Sequence, residues 1–142
     1  MVQVISAEQL RKVHEAVTKK FNISSKAKNP GVLGFTLSYL KTREEDLLFK
    51  TAVLMRNIAV NKPFEEFNLE TALIAADCQL RLNGWYIKTV PEVYIKNLQA
   101  KSLQDIVKTI DINIAKEERV PDFDEILRVS FGVNFNVLRR LA

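Results

Sequence analysis

Residues able to hold an anion, bind a metal or move a proton are concentrated between Asn61 and Gly84. The run Asn61-Lys62-Pro63-Phe64-Glu65-Glu66-Phe67-Asn68-Leu69-Glu70-Thr71-Ala72 reads as a polar loop emptying into a helix rich in small residues. A helix start presents unpaired backbone amides and the positive end of the helix dipole, so it favours an anion. Lys62 adds a cation near that point, Glu65 and Glu66 are acids before the helix, Asn68 is a helix cap and Glu70 a first-turn carboxylate. The chain also has a single histidine, His14, and a single cysteine, Cys78. One cysteine excludes an internal disulfide framework and a cysteine-based metal site. Its place in an apolar helical run makes it a small core residue.

The elements that must position these residues read as helices. Ser6 with Gln9 matches a capping box, and Leu10, Val13, Val17 and Phe21 then recur at helical spacing, which predicts a helix over 7–21 with His14 flanking its buried stripe. Asn29-Pro30-Gly31 predicts a second helix start, carrying Val32, Leu33, Phe35, Leu37 and Leu40. Thr42 with Glu45 offers another capping box before Leu47, Leu48, Ala52, Met55, Ile58 and Ala59, and Lys62-Pro63 ends that helix. Asn68 then caps the run 72–80, whose apolar character on most sides places it centrally, and Asn83-Gly84 supplies a left-handed end.

Thr89, Pro91 and Glu92 predict a fifth helix burying Val93, Tyr94 and Leu98, and Ser102 begins a sixth with Leu103, Ile106, Val107 and Ile110. The alternation over 111–114 is compatible with a short strand, although helix is the expectation there. Asp122 with Glu125 predicts a further cap, before Phe123, Ile126, Leu127 and Phe131, with Gly132 as the end of that helix. The tail 133–142 is apolar enough to pack back on the domain or to mediate homo-oligomers. The expected architecture is an all-α, single-domain bundle of about six to seven helices over 1–142.

The net charge of +4 is modest, because 17 acidic residues are interspersed among 21 Lys and Arg. No Lys/Arg stripe with interleaved aromatics appears, so nucleic acid is not an expected partner. No apolar run approaches the roughly 18 residues of a membrane span, and the start of the chain lacks a secretory pattern. A soluble, cytoplasmic protein is the expectation.

The central stretch resembles the Fic/Doc family, and most closely its short Doc, or death-on-curing, branch. The family signature is His-Pro-Phe-x-Asp/Glu-Gly-Asn-x-Arg followed by an Ala-rich helix ending in Asn-Gly. The matching frame here is Lys62-Pro63-Phe64-Glu65-Glu66-Phe67-Asn68-Leu69-Glu70, closed by Asn83-Gly84. Val13-His14 and the segment from Pro30 to Leu37 resemble two further family stretches, so the likeness covers about 6–88, with 89–142 assigned by helical pattern alone.

The resemblance implies a loop that holds a nucleotide triphosphate, with Glu66 at the magnesium acid and Lys62 at the general base. An ammonium is already protonated at neutral pH and cannot accept a proton without strong desolvation. Phe67 replaces the loop glycine, which removes tolerance for left-handed backbone and room for phosphate. Glu70 replaces the phosphate-binding arginine and opposes an anion at the helix start. Pro63 and Phe64 fit the family's structural residues, and Asn68 matches its loop asparagine.

The resulting expectation is a catalytically degenerate Fic/Doc-like pseudoenzyme, a binding or regulatory relative of toxin–antitoxin proteins with an antitoxin-like or target protein as partner and no cofactor. Two alternatives stand beside it. One is a divergent nucleotidyl- or phosphoryl-transferase acting on a protein hydroxyl, with Lys62 as the candidate catalytic residue, Glu66 as the candidate metal ligand, and ATP and magnesium as cofactors. The other is a structural or oligomerising helical module.

Overall fold

The structure, a computed structural model, describes residues 2–22, 46–118 and 122–141. The second helix expected over 32–40 and the capping box at Thr42 and Glu45 lie outside the described residues. Six α-helices and one two-stranded ribbon are present among the described residues: α1 (Ala7–Lys20), α2 (Leu47–Asn61), α3 (Asn68–Leu82), β1 (Trp85–Ile87), α4 (Glu92–Lys96), α5 (Leu103–Asn113), β2 (Ile114–Lys116) and α6 (Phe123–Leu141). A short 3₁₀ turn at Leu98–Ala100 joins α4 to α5. The chain is all-α.

Local sequence accounts for most helix starts. The Ser6 hydroxyl accepts from the Gln9 amide while the Gln9 side chain accepts from the Ser6 amide, completing the capping box of α1. Asp46 caps α2 by accepting from the Phe49 amide at 2.7 Å, and Ser102 caps α5 through the Asp105 amide. At α4 the expected Thr89 cap is replaced: Pro91 is the N-cap and no side chain closes the first turn.

Helix α3 is the centre of the bundle, with every residue from Glu70 to Leu82 buried. It runs back along α2, where the Gln79 amide donates to the Thr51 hydroxyl at 3.1 Å. The small side chains of Ala72, Ala75 and Ala76 leave room for close neighbours, and all three are fully enclosed. α1 lies along α3: the Ile5 amide bonds Gln79 near one end, and His14 reaches the loop before α3 at the other. Burial of side chains such as Leu73, Ile74, Leu80 and Leu54 contributes about 1.5–3 kcal/mol each.

The C-terminal half departs from expectation in three places. Gly132 does not end the last helix, because α6 continues unbroken to Leu141 and buries Ser130, Asn134 and Leu138 against the core. Residues 111–113 complete α5 as expected, but Ile114, also expected as helix, opens β2, which pairs antiparallel with β1 in the register Trp85↔Lys116, Tyr86↔Ala115, Ile87↔Ile114. Val93 is exposed where it was expected to be buried, and Ile95 takes that inner position on α4.

A two-stranded ribbon alone is marginal in water. Here a buried ion pair fastens it. One Asp77 oxygen accepts the Ile87 amide at 2.8 Å, and the other accepts Arg81 Nε at 2.9 Å and Asn134 Nδ2 at 3.3 Å. Arg81 Nη1 then donates to Glu117 at 2.7 Å, so α3, α6 and both ends of the ribbon share one polar network.

Candidate functional site

The loop 62–67 connects α2 to α3 and is built from two left-handed residues at its ends. Lys62 follows the last turn of α2 with φ 47°, and its amide donates to the Ile58 carbonyl, closing the helix. Its side chain is exposed, without a hydrogen bond or ion pair among the described residues. Pro63 and Phe64 turn inward and are buried. Glu65 and Glu66 face solvent.

Phe67 sits at φ 61°, ψ 35°, the conformation that glycine adopts most cheaply. The expectation that phenylalanine would deny the loop this geometry is therefore corrected. Tertiary packing compensates the strain: the Phe67 ring stacks on Phe21 at 5.1 Å between centroids and 8° between planes. The side chain fills space that a glycine would leave open.

Asn68 is also corrected. It is the first residue of α3 and not its cap; Phe67 occupies the cap position and provides no side-chain bond. The Asn68 amide instead reaches back across the loop. Its Oδ1 accepts from the Phe64 amide at 3.1 Å and its Nδ2 donates to the Phe64 carbonyl at 2.9 Å. Both backbone groups of Phe64 are satisfied by one side chain, which holds the turn closed.

His14 completes the loop from outside it. The ring stacks on Phe64 at 3.8 Å and 8°, and Nε2 lies 2.9 Å from the Glu66 carbonyl. A carbonyl can only accept, so Nε2 carries the proton in that bond. Desolvation by burial is the main influence on His14 and lowers its pKa from the ordinary value, while the Glu66 carbonyl and the Glu15 charge act in the opposite direction. The histidine is a neutral, packed positioning residue of the loop.

Glu70 is buried in the first turn of α3, with 6% of its surface exposed. Burial raises its pKa, opposed by a hydrogen bond from its own amide. The Glu70 side chain thus lies against the amide of its own residue, in the positive field of the helix start that would attract a bound anion. Beside it, the buried Thr71 hydroxyl has no hydrogen-bond partner among the described residues.

Of the residues singled out in the sequence, Phe64, Asn68 and Glu70 gather around the start of α3, whereas Lys62 and Glu66 point their charges to solvent. Among the described residues no group of three acidic, histidine or cysteine side chains is placed to hold a metal ion. Sequence reasoning missed the stack on Phe21 and the left-handed Lys62. Phe21 lay on the α1 stripe, but nothing in its spacing identified Phe67 as the partner.

Cys78 is fully buried in α3, where desolvation and the neighbouring Asp77 charge push its thiol pKa far upward. It is an inert core thiol. No helix among the described residues is long and apolar enough to cross a membrane. The chain matches no protein-family model and no curated protein.

Proposed function

We propose that this protein is a catalytically degenerate Fic/Doc-like domain that acts by binding a protein partner, in the manner of a regulatory relative of toxin–antitoxin proteins. The observation that carries the reading is the buried Glu70 carboxylate in the first turn of α3. In either protonation state it supplies no positive charge where a nucleotide phosphate would need a cation, and in its ionised form it would bring like charges together in a partly desolvated site. Lys62 stands where the resemblance puts the general base, and its side chain is exposed to solvent.

The frame itself is kept: a buried Phe64, the Asn68 clasp and a left-handed residue before α3 hold a defined loop without its expected chemistry. A rigid loop presenting Glu65 and Glu66 at the surface suits recognition of a partner. Label transfer from ATP to protein, with magnesium present, tests the reading. No transfer is expected; transfer that disappears in Lys62→Ala or Glu66→Ala would establish the transferase reading in its place.

A further inference from the structure

A concavity lies away from the loop, between α2 and the start of α5. It has a volume of about 600 Å³, within the roughly 300–1,000 Å³ typical of small-molecule sites. Its apolar wall is formed by Phe49 of α2 and by Leu103 and Val107 of α5. The stripe of α5 explains why they are available: Ile106 and Ile110 are buried in the core, whereas Leu103 and Val107 are half-buried on its edge. Two cations, Arg56 and Lys108, line the same space.

The two cations differ in preparation. Arg56 is half-buried and its Nε donates to the Lys101 carbonyl at 2.9 Å, which fixes the guanidinium plane. Its two Nη groups have no partner among the described residues, so an oriented pair of donors remains for a planar anion. Lys108 is exposed and has no ion pair among the described residues. Among the described lining residues the one acid is Asp46, with a carboxylate oxygen accepting from the Phe49 amide as the cap of α2. The described lining therefore combines an apolar wall with two cations against one carboxylate, a net positive charge.

We infer that this cleft binds a small amphipathic carboxylate, with its apolar chain along Phe49, Leu103 and Val107 and its carboxylate on the Arg56 guanidinium, assisted by Lys108. Charge complementarity sets the sign of the ligand. The fixed guanidinium sets its head group, since two parallel N–H donors match a carboxylate. The apolar wall requires a hydrocarbon body, because a purely polar anion would leave that surface uncovered.

Calorimetric titration with decanoate, kept below its micellar concentration, and with decanol as its neutral counterpart tests the assignment. Decanoate is expected to saturate one site, and decanol to bind at least about tenfold more weakly. Lys108→Gln combined with Arg56→Gln should weaken decanoate about tenfold and leave decanol unchanged, while Val107→Trp should fill the cleft and remove both. Absence of saturable decanoate binding, equal affinity for the two compounds, or undiminished binding in the charge variant would overturn the inference. The single surface change Lys108→Gln, compared at matched melting temperature, decides the matter if Val107→Trp unfolds the protein: a loss confined to decanoate supports the site, and no loss refutes it.

Discussion

Replacing Phe67 by glycine and by alanine separates the two forces that meet at the loop. In either variant the stack on Phe21 disappears, a loss of about 0.5–1.5 kcal/mol, together with about 1–2 kcal/mol from the half-buried ring. Alanine keeps the left-handed penalty, roughly 1–2 kcal/mol for a residue with a β-carbon at φ 61°. Glycine removes that penalty but carries about 0.5–1 kcal/mol of extra chain entropy in the unfolded state. Phe67→Ala should therefore cost about 1.5–3.5 kcal/mol, and Phe67→Gly should be the more stable of the two by about 0.75 kcal/mol, the difference between the midpoints of the left-handed penalty and the glycine entropy cost. Urea unfolding followed by circular dichroism, with matched slopes, reads this difference. At an ordinary extended or helical position the order reverses, so alanine equal to or better than glycine would refute the left-handed, stack-held geometry.

Other perturbations address the surrounding elements. Asn68→Ala removes both bonds to the Phe64 backbone and should cost about 1–3 kcal/mol in chemical denaturation, whereas loss of a simple exposed side chain would cost under about 0.5 kcal/mol. His14 has a depressed folded-state pKa, so the unfolded chain binds its proton first and the contribution of His14 to stability is present above about pH 6.5 and lost as pH falls below it. Stability measured against pH should show this loss in the native chain and a smaller one in His14→Gln. Gly132 lies within α6 and an added β-carbon meets nothing within 4 Å, so Gly132→Ala should stabilise by about 0.5–1 kcal/mol in thermal unfolding.

The helices were legible where local chemistry and tertiary packing point the same way. The capping box at Ser6 and Gln9 and the continuous apolar run of α3 state their structure in neighbouring residues, and both form as read. Gly132 misled because a glycine inside a helix costs only about 1 kcal/mol, less than the burial of Leu138 beyond it returns. β2 was not legible: the alternation over 111–114 falls mostly on the last turn of α5, and the three-residue strand from Ile114 to Lys116 exists only through its pairing with Trp85–Ile87.

At the site, residue type identified the loop but not its inner contacts. Asn68 has the character of a cap, yet the backbone of Phe64 competes for the same side chain and wins both of its hydrogen-bonding groups. Phe67 argues against left-handed backbone until Phe21, distant in sequence, supplies the compensating stack. The first-turn position of Glu70 was readable from spacing, whereas its burial depends on the helices packed around α3.

The most direct test of the account is a thermal-shift titration of the intact chain with ATP and magnesium, against magnesium alone. A ligand present at 100 times its Kd stabilises the folded state by about 2.7 kcal/mol, a shift that such a measurement resolves readily. With the Glu70 carboxylate at the start of α3, the account predicts no saturable change in melting temperature. A saturable rise that requires both ATP and magnesium would contradict it.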